Sequence, residues 1–320
     1  MKRILYLMCL FAGLSCNLTF SAGRDTIVVD RNGRGDYRNL QDAIDALRAF
    51  NPEGRVVVYI RSGFYKEKIE LPAHLTTIKL LGESRDETII NYDDHATIDK
   101  MGTFRSYTFM LRGNDVVIEN LTIENSALPL GQAVALHVEG DRAVFRNCRF
   151  LGNQDTVYAG RTGSRLYFEN CYIEGTTDFI FGPAIAWFES CEIVCKKNSY
   201  ITAANTDQNQ KNGFIFNRCD IKLQEGVTSV YLGRPWRPYA STLFMNCNLP
   251  AGINPEGWDN WRNAENEKTA RYMEYNNRGA GAGTSQRAAW IKLLTDREAK
   301  EFQVEKVMTL LDGWNPAQVQ

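Results

Sequence analysis

Phe145-Arg-Asn-Cys-Arg-Phe150 is followed by Phe168-Glu-Asn-Cys-Tyr-Ile173 and then by Phe188-Glu-Ser-Cys-Glu-Ile193. Outward from these three, the same unit precedes them as Ile118-Glu-Asn-Leu-Thr-Ile123 and recurs as Phe216-Asn-Arg-Cys-Asp-Ile221 and Phe244-Met-Asn-Cys-Asn-Leu249. Its fourth positions, Leu121, Cys148, Cys171, Cys191, Cys219 and Cys247, lie 27, 23, 20, 28 and 28 residues apart. Unequal spacing around a constant unit is what one structural coil with loops of variable length produces, so the chain reads as a solenoid. The competing reading is a set of unrelated antiparallel strands phased by chance.

The unit has a local logic. Positions 4 and 6 share a parity and are apolar, whereas the apolar position 1 has the opposite parity, so the alternation breaks between them. Position 3 is Asn in four of the six copies, and Asn tolerates the left-handed backbone that bends a strand while keeping its inward face. Strand, bend, strand is the corner of a parallel β-helix. Stacked coils then place Phe on Phe, Cys on Cys and Ile on Ile, about 4.8 Å apart along the axis. The fold class expected is all-β.

Composition agrees with a packed protein. The chain has 320 residues, 44% hydrophobic and 23% charged, enough apolar side chain for a core. Lys+Arg 37 against Asp+Glu 38 gives a net charge of −1 with no block of like charges, so no nucleic-acid footprint is visible. No linker divides the sequence, and residues 22–320 are read as one domain.

Residues 1–21 read as an export signal: Lys2 and Arg3, an apolar run from Ile4 to Leu14, then small and polar residues. That run is too short to span a bilayer, and no later stretch reaches the ~18 apolar residues a membrane helix needs. Two exits fit, cleavage near Ser21-Ala22 or a lipoprotein-like site at Gly13-Leu14-Ser15-Cys16 with Cys16 as lipid anchor. The expected location is periplasmic, extracellular or lipid-anchored at the cell surface, and loss of Lys2 and Arg3 takes the charge to −3.

Ahead of the repeats, Asn39 can cap a helix with an apolar stripe at Leu40, Ala43, Ile44, Leu47 and Phe50, which would close the N-terminal end of the solenoid. Val56-Val-Val-Tyr-Ile60 and Thr77-Ile-Lys-Leu-Leu81 read as early strands. Gly279-Ala-Gly-Ala-Gly283 reads as a flexible loop, and Trp290 to Leu311 as helical segments packing back on the barrel.

Eight cysteines fall to six with the signal, or seven if Cys16 is an anchor. Five occupy the repeat position, spread along a stack rather than converging on a point as metal ligands do. Stacked thiols act by default as small buried hydrophobes, yet an exported protein lives where disulfides persist, and neighbouring coils bring Cα atoms into bridging range.

Polar residues that a coil has no structural need for cluster in Gly131-Gln-Ala-Val-Ala-Leu136, Gly152-Asn-Gln-Asp-Thr156 and Thr177-Asp-Phe-Ile-Phe-Gly182. Gln132 to Asp155 and Asp155 to Asp178 are each 23 residues, so the three side chains are expected to stack on one face. Tyr231-Leu-Gly-Arg-Pro-Trp236, two coils on, offers a cation and an aromatic platform. Adjacent aspartates cannot both ionise cheaply, and a guanidinium decides which stays charged, leaving one as base or nucleophile and the other as acid. Gln132 and Gln154 can donate amide N–H groups to an oxyanion, worth ~3 kcal/mol per donor, which suits acyl transfer. The bland reading is that Asp155 and Asp178 only bond loop backbones.

Gly131-Gln-Ala-Val-Ala-Leu136, Gly152-Asn-Gln-Asp-Thr156, Asp178-Phe-Ile-Phe-Gly182 and Leu232-Gly-Arg-Pro-Trp236, in this order, resemble the pectin methylesterase (pectinesterase) family. The likeness extends from Thr26-Ile-Val-Val29 and the Gly33-Arg-Gly-Asp36 turn to Trp290 and Gly313-Trp-Asn-Pro316. It implies a right-handed parallel β-helix and hydrolysis of the methyl esters of polygalacturonate, homogalacturonan pectin, without cofactor or metal; the expected state is a monomer. Carried over by motif, Asp178 would be the nucleophile, Asp155 the general acid and then base, Gln132 and Gln154 the oxyanion donors, and Arg234 the partner that keeps Asp178 ionised. Thr103, Tyr158, Phe181 and Trp236 would line the sugar cleft, and Cys171 and Cys191 match a disulfide of plant members. Two positions depart from the family pattern: His137 stands where many relatives have arginine, and Asn153 where an aromatic is frequent. With no Gly-x-Ser-x-Gly elbow and no use for His74, His95 or His137, a serine esterase is disfavoured. A β-helix lyase or polygalacturonase, or a binding solenoid without turnover, are the other readings.

Overall fold

The computed structural model describes residues 26–49, 54–309 and 312–319; the export signal, Cys9, Cys16, Phe50 and Leu311 lie outside them. Three parallel sheets of eleven, seven and seven strands wind into a right-handed β-helix. The repeat sets the register of the long sheet: Ile118, Phe145, Phe168, Phe188, Phe216 and Phe244 are Cα partners in turn. Four ring pairs stack along this column, with centroids 4.3 to 4.7 Å apart and planes within 12°. Ile123, Phe150, Ile173, Ile193 and Ile221 do the same in the third sheet.

The bend at position 3 is left-handed in every copy: Asn120, Asn147, Asn170, Ser190, Arg218 and Asn246 have φ between 48° and 57°. A seventh bend at Asn276, φ 48°, follows Glu274, which continues the Phe column. Side-chain amides link neighbouring bends, Asn147 Nδ2 to Asn120 Oδ1 at 2.8 Å and Asn276 Nδ2 to Asn246 Oδ1 at 2.9 Å.

All six described cysteines are free and buried, so the Cys171–Cys191 bridge implied by the resemblance is not formed here. The two occupy equivalent points of neighbouring coils, just past the bend and outside the strands, and neither Sγ is joined to the other. Each Sγ faces carbonyl oxygens instead, Cys171 those of Phe145 and Glu169 and Cys191 those of Phe168 and Glu189, all at 3.5 Å.

The N-terminal helix is shorter than its apolar stripe suggests. It spans Leu40–Asp45, buries Leu40, Ala43 and Ile44, and packs on strands Thr26–Val29 and Ile69–Leu71. Leu47 meets the core from beyond the helix. Asn39 does not cap it: its side chain bonds Arg31 and Asp42, while the Leu40 and Gln41 N–H groups donate to the carboxylate of Glu67 at 3.1 Å. A carboxylate there also suits the positive end of the helix. The early strands are Val56–Ile60 and Ile78–Gly82, and Thr77, φ 60°, lies just outside the second.

At the other end, the Gly279–Gly283 loop is largely exposed but packs closely at Gly281. A Cβ on Gly281 would lie 2.0 Å from the Pro250 carbonyl oxygen. Short helices Asp296–Ala299 and Val304–Met308 follow, the first with a Thr295/Glu298 capping box. Leu294, Val307 and Met308 cover the outer face of the long sheet over Val144, Trp187 and Leu243. Buried Arg165 fixes this cover through Asp312, Asp141 and the Met308 carbonyl.

Candidate active site

The seven-stranded sheet running from Ile69–Leu71 to Tyr231–Pro235 carries the site. Asp155 and Asp178 each sit two residues ahead of the paired Val157 and Ile180, so they stack one coil apart as the spacing predicts. Both have left-handed backbones, φ 67° and 50°, a conformation Asp accepts more readily than most residues. A left-handed residue at a strand entrance breaks the alternation and turns a position of core parity toward the groove. Gln132 does not stack on Asp155. Gln132 bridges Gln154, 22 residues on, one short of the 23 that separate it from Asp155, so the two amides, not the amide and the acid, are adjacent.

Asp178 is gripped from two coils away. Arg234 Nε and Nη2 donate to its two carboxylate oxygens at 3.0 and 2.6 Å, a bidentate pair. The guanidinium is itself sandwiched, 3.9 Å from the Tyr200 ring centroid and 3.8 Å from that of Trp261. Gly233 permits this, since a Cβ there would lie 2.0 Å from Thr202 Oγ1 on the adjoining coil. Trp261 comes from a loop with left-handed Trp261 and Arg262, φ 61° and 54°, where its N–H donates to Asp259 at 2.7 Å.

The electrostatics divide the two carboxyls. Burial, then the charge of Asp178, pushes Asp155 well above the ordinary carboxylate range, against weaker pulls from Arg234 and the Gln154 side chain. Burial raises Asp178 too, but the Arg234 hydrogen bonds and charge oppose it. Asp155 therefore takes up a proton before Asp178 does.

Around them is a cavity of about 250 Å³ lined by Thr103, Phe104, Gln132, Gln154, Asp155, Asp178, Phe181, Ala203, Arg234, Trp236 and Trp261. Of the residues expected at the cleft, Thr103, Phe181 and Trp236 line it. Tyr158 stands behind, 4.8 Å from Phe181 and 4.9 Å from Phe104 between ring centroids. Phe104, Tyr200, Trp261 and Asp259 were not anticipated, because they lie outside the repeat and the four motifs. Asn153 serves the backbone, its Nδ2 donating to the Ala127 carbonyl at 3.2 Å.

A carboxyl paired with a guanidinium beside a second, unpaired one, amide donors and an aromatic groove on a parallel β-helix define a carbohydrate-acting ester hydrolase. Comparison with known proteins makes this specific. The Pectinesterase family model matches residues 26–311. Pectinesterase 31 of Arabidopsis thaliana is 38% identical over 285 residues, 86% of this chain and 89% of that protein. The structure of pectin methylesterase from carrot superposes with a TM-score of 0.85 at 33% identity, covering 90% of this chain and 94% of that one. A pectin methylesterase solved in complex with a hexasaccharide matches with a TM-score of 0.78 at 29% identity over 91% and 98%. Other curated relatives are longer proteins, and the chain spans about half their length. The chain belongs to the pectinesterase family. It is a carboxylic ester hydrolase that removes the methyl esters of pectin.

Proposed function

We propose that Asp178 is the nucleophile of this demethylation and Asp155 its general acid and base. The observation that carries the assignment is the bidentate Arg234 bond to Asp178, with no such cation on Asp155. An Asp178 oxygen adds to the ester carbonyl, and the carbonyl electron pair moves onto oxygen, where the Gln132 and Gln154 amides donate to it. Collapse expels the methoxy group, which takes the Asp155 proton and leaves as methanol, with an anhydride joining Asp178 to the galacturonate. Asp155, now a carboxylate, takes a proton from water as the water oxygen adds to the substrate carbonyl. The Asp178 carboxylate departs, and the freed acid and the protonated Asp155 restore the starting state. Thr103, Phe181 and Trp236, backed by Tyr158, hold the sugars.

Acid-quenched enzyme sampled during turnover of a methyl-esterified oligogalacturonate tests this by mass spectrometry. An acyl mass on the peptide bearing Asp178 is expected, and an acyl mass on the Asp155 peptide would exchange the roles.

We infer further that the chain is exported and acts as a monomer without nucleic-acid partners. Support comes from the basic and apolar pattern of residues 2–14 and from the even charge distribution. Among the described residues no helix is long and apolar enough to cross a membrane. Amino-terminal sequencing of protein from producing cells distinguishes a terminus near Ala22 from a lipid-modified Cys16. An unprocessed Met1 would refute export.

A further inference from the structure

His137 has no part in the chemistry described, yet it is 2% exposed and lies on the cleft sheet, in register between Met110 and Tyr158. Three rings converge on it. Tyr158 meets it edge to face at 4.7 Å, and Phe104 and Tyr107 stand at 6.1 Å from either side. Phe104 then closes over the top onto Tyr158 at 4.9 Å.

Phe104 and Thr103 line the cavity from a single three-residue turn, Thr103–Arg105, held by local backbone bonds and by Lys68 Nζ, which donates to the Arg105 carbonyl at 2.6 Å. A turn that short does not fix its own side chains. What lies under it must do so, and His137 is under it. The imidazole is tethered in turn: Nε2 is 3.2 Å from Glu139 Oε1, and a carboxylate can only accept, so Nε2 carries the hydrogen. Nδ1 is then a buried acceptor with no hydrogen-bond partner.

We propose that His137 is a positioning residue for the demethylation site, seating the Phe104 turn and Tyr158 as one wall of the groove that holds the pectin chain. This rests on the cleft assignment above. The seat favours the neutral ring, because a charged imidazole in this place, 2% exposed, would lose its hydration. Burial holds the imidazole below the ordinary histidine range, opposed by Glu139 and the Phe104 carbonyl. The other charged or titratable groups around it are Arg112, which bonds Glu139 and Glu70, Tyr107, which donates to Glu70 and carries Lys68 on its ring, Tyr158, and Arg105 of the turn. The seat is intact at neutral pH and is lost as pH falls through and below the histidine range.

Steady-state methanol release from methyl-esterified pectin, followed across that range, tests the role with wild type, His137→Gln and His137→Phe. His137→Gln keeps a donor for Glu139 but removes the ring. Its KM should rise about fivefold at neutral pH (about 1 kcal/mol), with kcat held within about twofold. Wild-type KM should climb as pH falls, and that of His137→Phe, which keeps a ring and cannot be protonated, should stay flat. If His137→Gln melts below the assay temperature, the wild-type and His137→Phe KM profiles decide alone. An unchanged KM in His137→Gln, a fall confined to kcat, or the same KM profile in wild type and His137→Phe would overturn the proposal. Absence of methanol release by the wild type would instead refute the reading of the site on which it rests.

Discussion

Asp155 and Asp178 are in register on successive coils with the same left-handed backbone, but only Asp178 is bonded by Arg234. Two chemically identical side chains in equivalent places are thus given different proton affinities, with one cation from two coils away opposing the rise at Asp178. Division of labour between them follows from that single asymmetry.

The asymmetry has a thermodynamic cost. Burial raises Asp155 in the folded protein, so the folded state binds its proton more tightly than the unfolded chain. Stability contributed by that proton is present in acid and is lost as pH rises from the ordinary carboxylate value toward the raised one. Asp155→Asn should therefore remove most of the activity yet flatten the fall of Tm with rising pH. Thermal melts at several pH values check this, and a fall unchanged in the variant would contradict it.

Arg234→Leu strips the opposing charge and leaves burial and the charge of Asp259 to act on Asp178 unopposed, so its pKa rises further. The nucleophile is then uncharged over a wider acidic range. The acid limb of the kcat/KM profile should move to higher pH, with the greatest loss of rate at low pH. A profile of unchanged shape with weaker binding would make Arg234 a clamp on the substrate instead.

In the core, Cys148, Cys171, Cys191, Cys219 and Cys247 form a column of thiols, and burial pushes Cys148, Cys191 and Cys219 up. All five are at most 1% exposed, so no reagent reaches them and they should be inert in the native state. Unfolding without reductant should release six reactive thiols from the mature protein, apart from any at Cys16. Non-reducing peptide maps showing Cys171 joined to Cys191 would refute this.

The repeat was legible because a solenoid must place like residues over like: Phe168 sits between Phe145 and Phe188 only if all three occur at the same point of the coil. The left-handed bends were legible for the same reason, through the side chain that tolerates them. Asp155 over Asp178 followed from equal coil lengths, whereas Gln132 was misplaced because its coil is one residue shorter at that point. Trp261, which sandwiches Arg234, lies beyond the last counted unit in a loop without periodicity, and its two neighbours in the chain, Asn260 and Arg262, gave no sign of a site. Nor could the helix cap be read, since Glu67 reaches it from a distant segment.

Charge stabilisation in this site comes from amides and a guanidinium. Among the described residues no cluster of three His, Cys, Asp or Glu side chains is arranged to hold a metal ion. Methanol release should therefore persist in EDTA, with no shortening of the pectin. Activity lost to the chelator and restored by calcium, with products that absorb in the ultraviolet, would point to a lyase.

The claim that Asp178 attacks the ester is tested most directly by Asp178→Ala, measuring methanol release and pectin binding on the same preparation. Loss of the nucleophile should reduce release by at least about three orders of magnitude, while Trp236 and Phe181 still hold the polymer and binding persists. Methanol release near the wild-type rate in that variant would contradict the account.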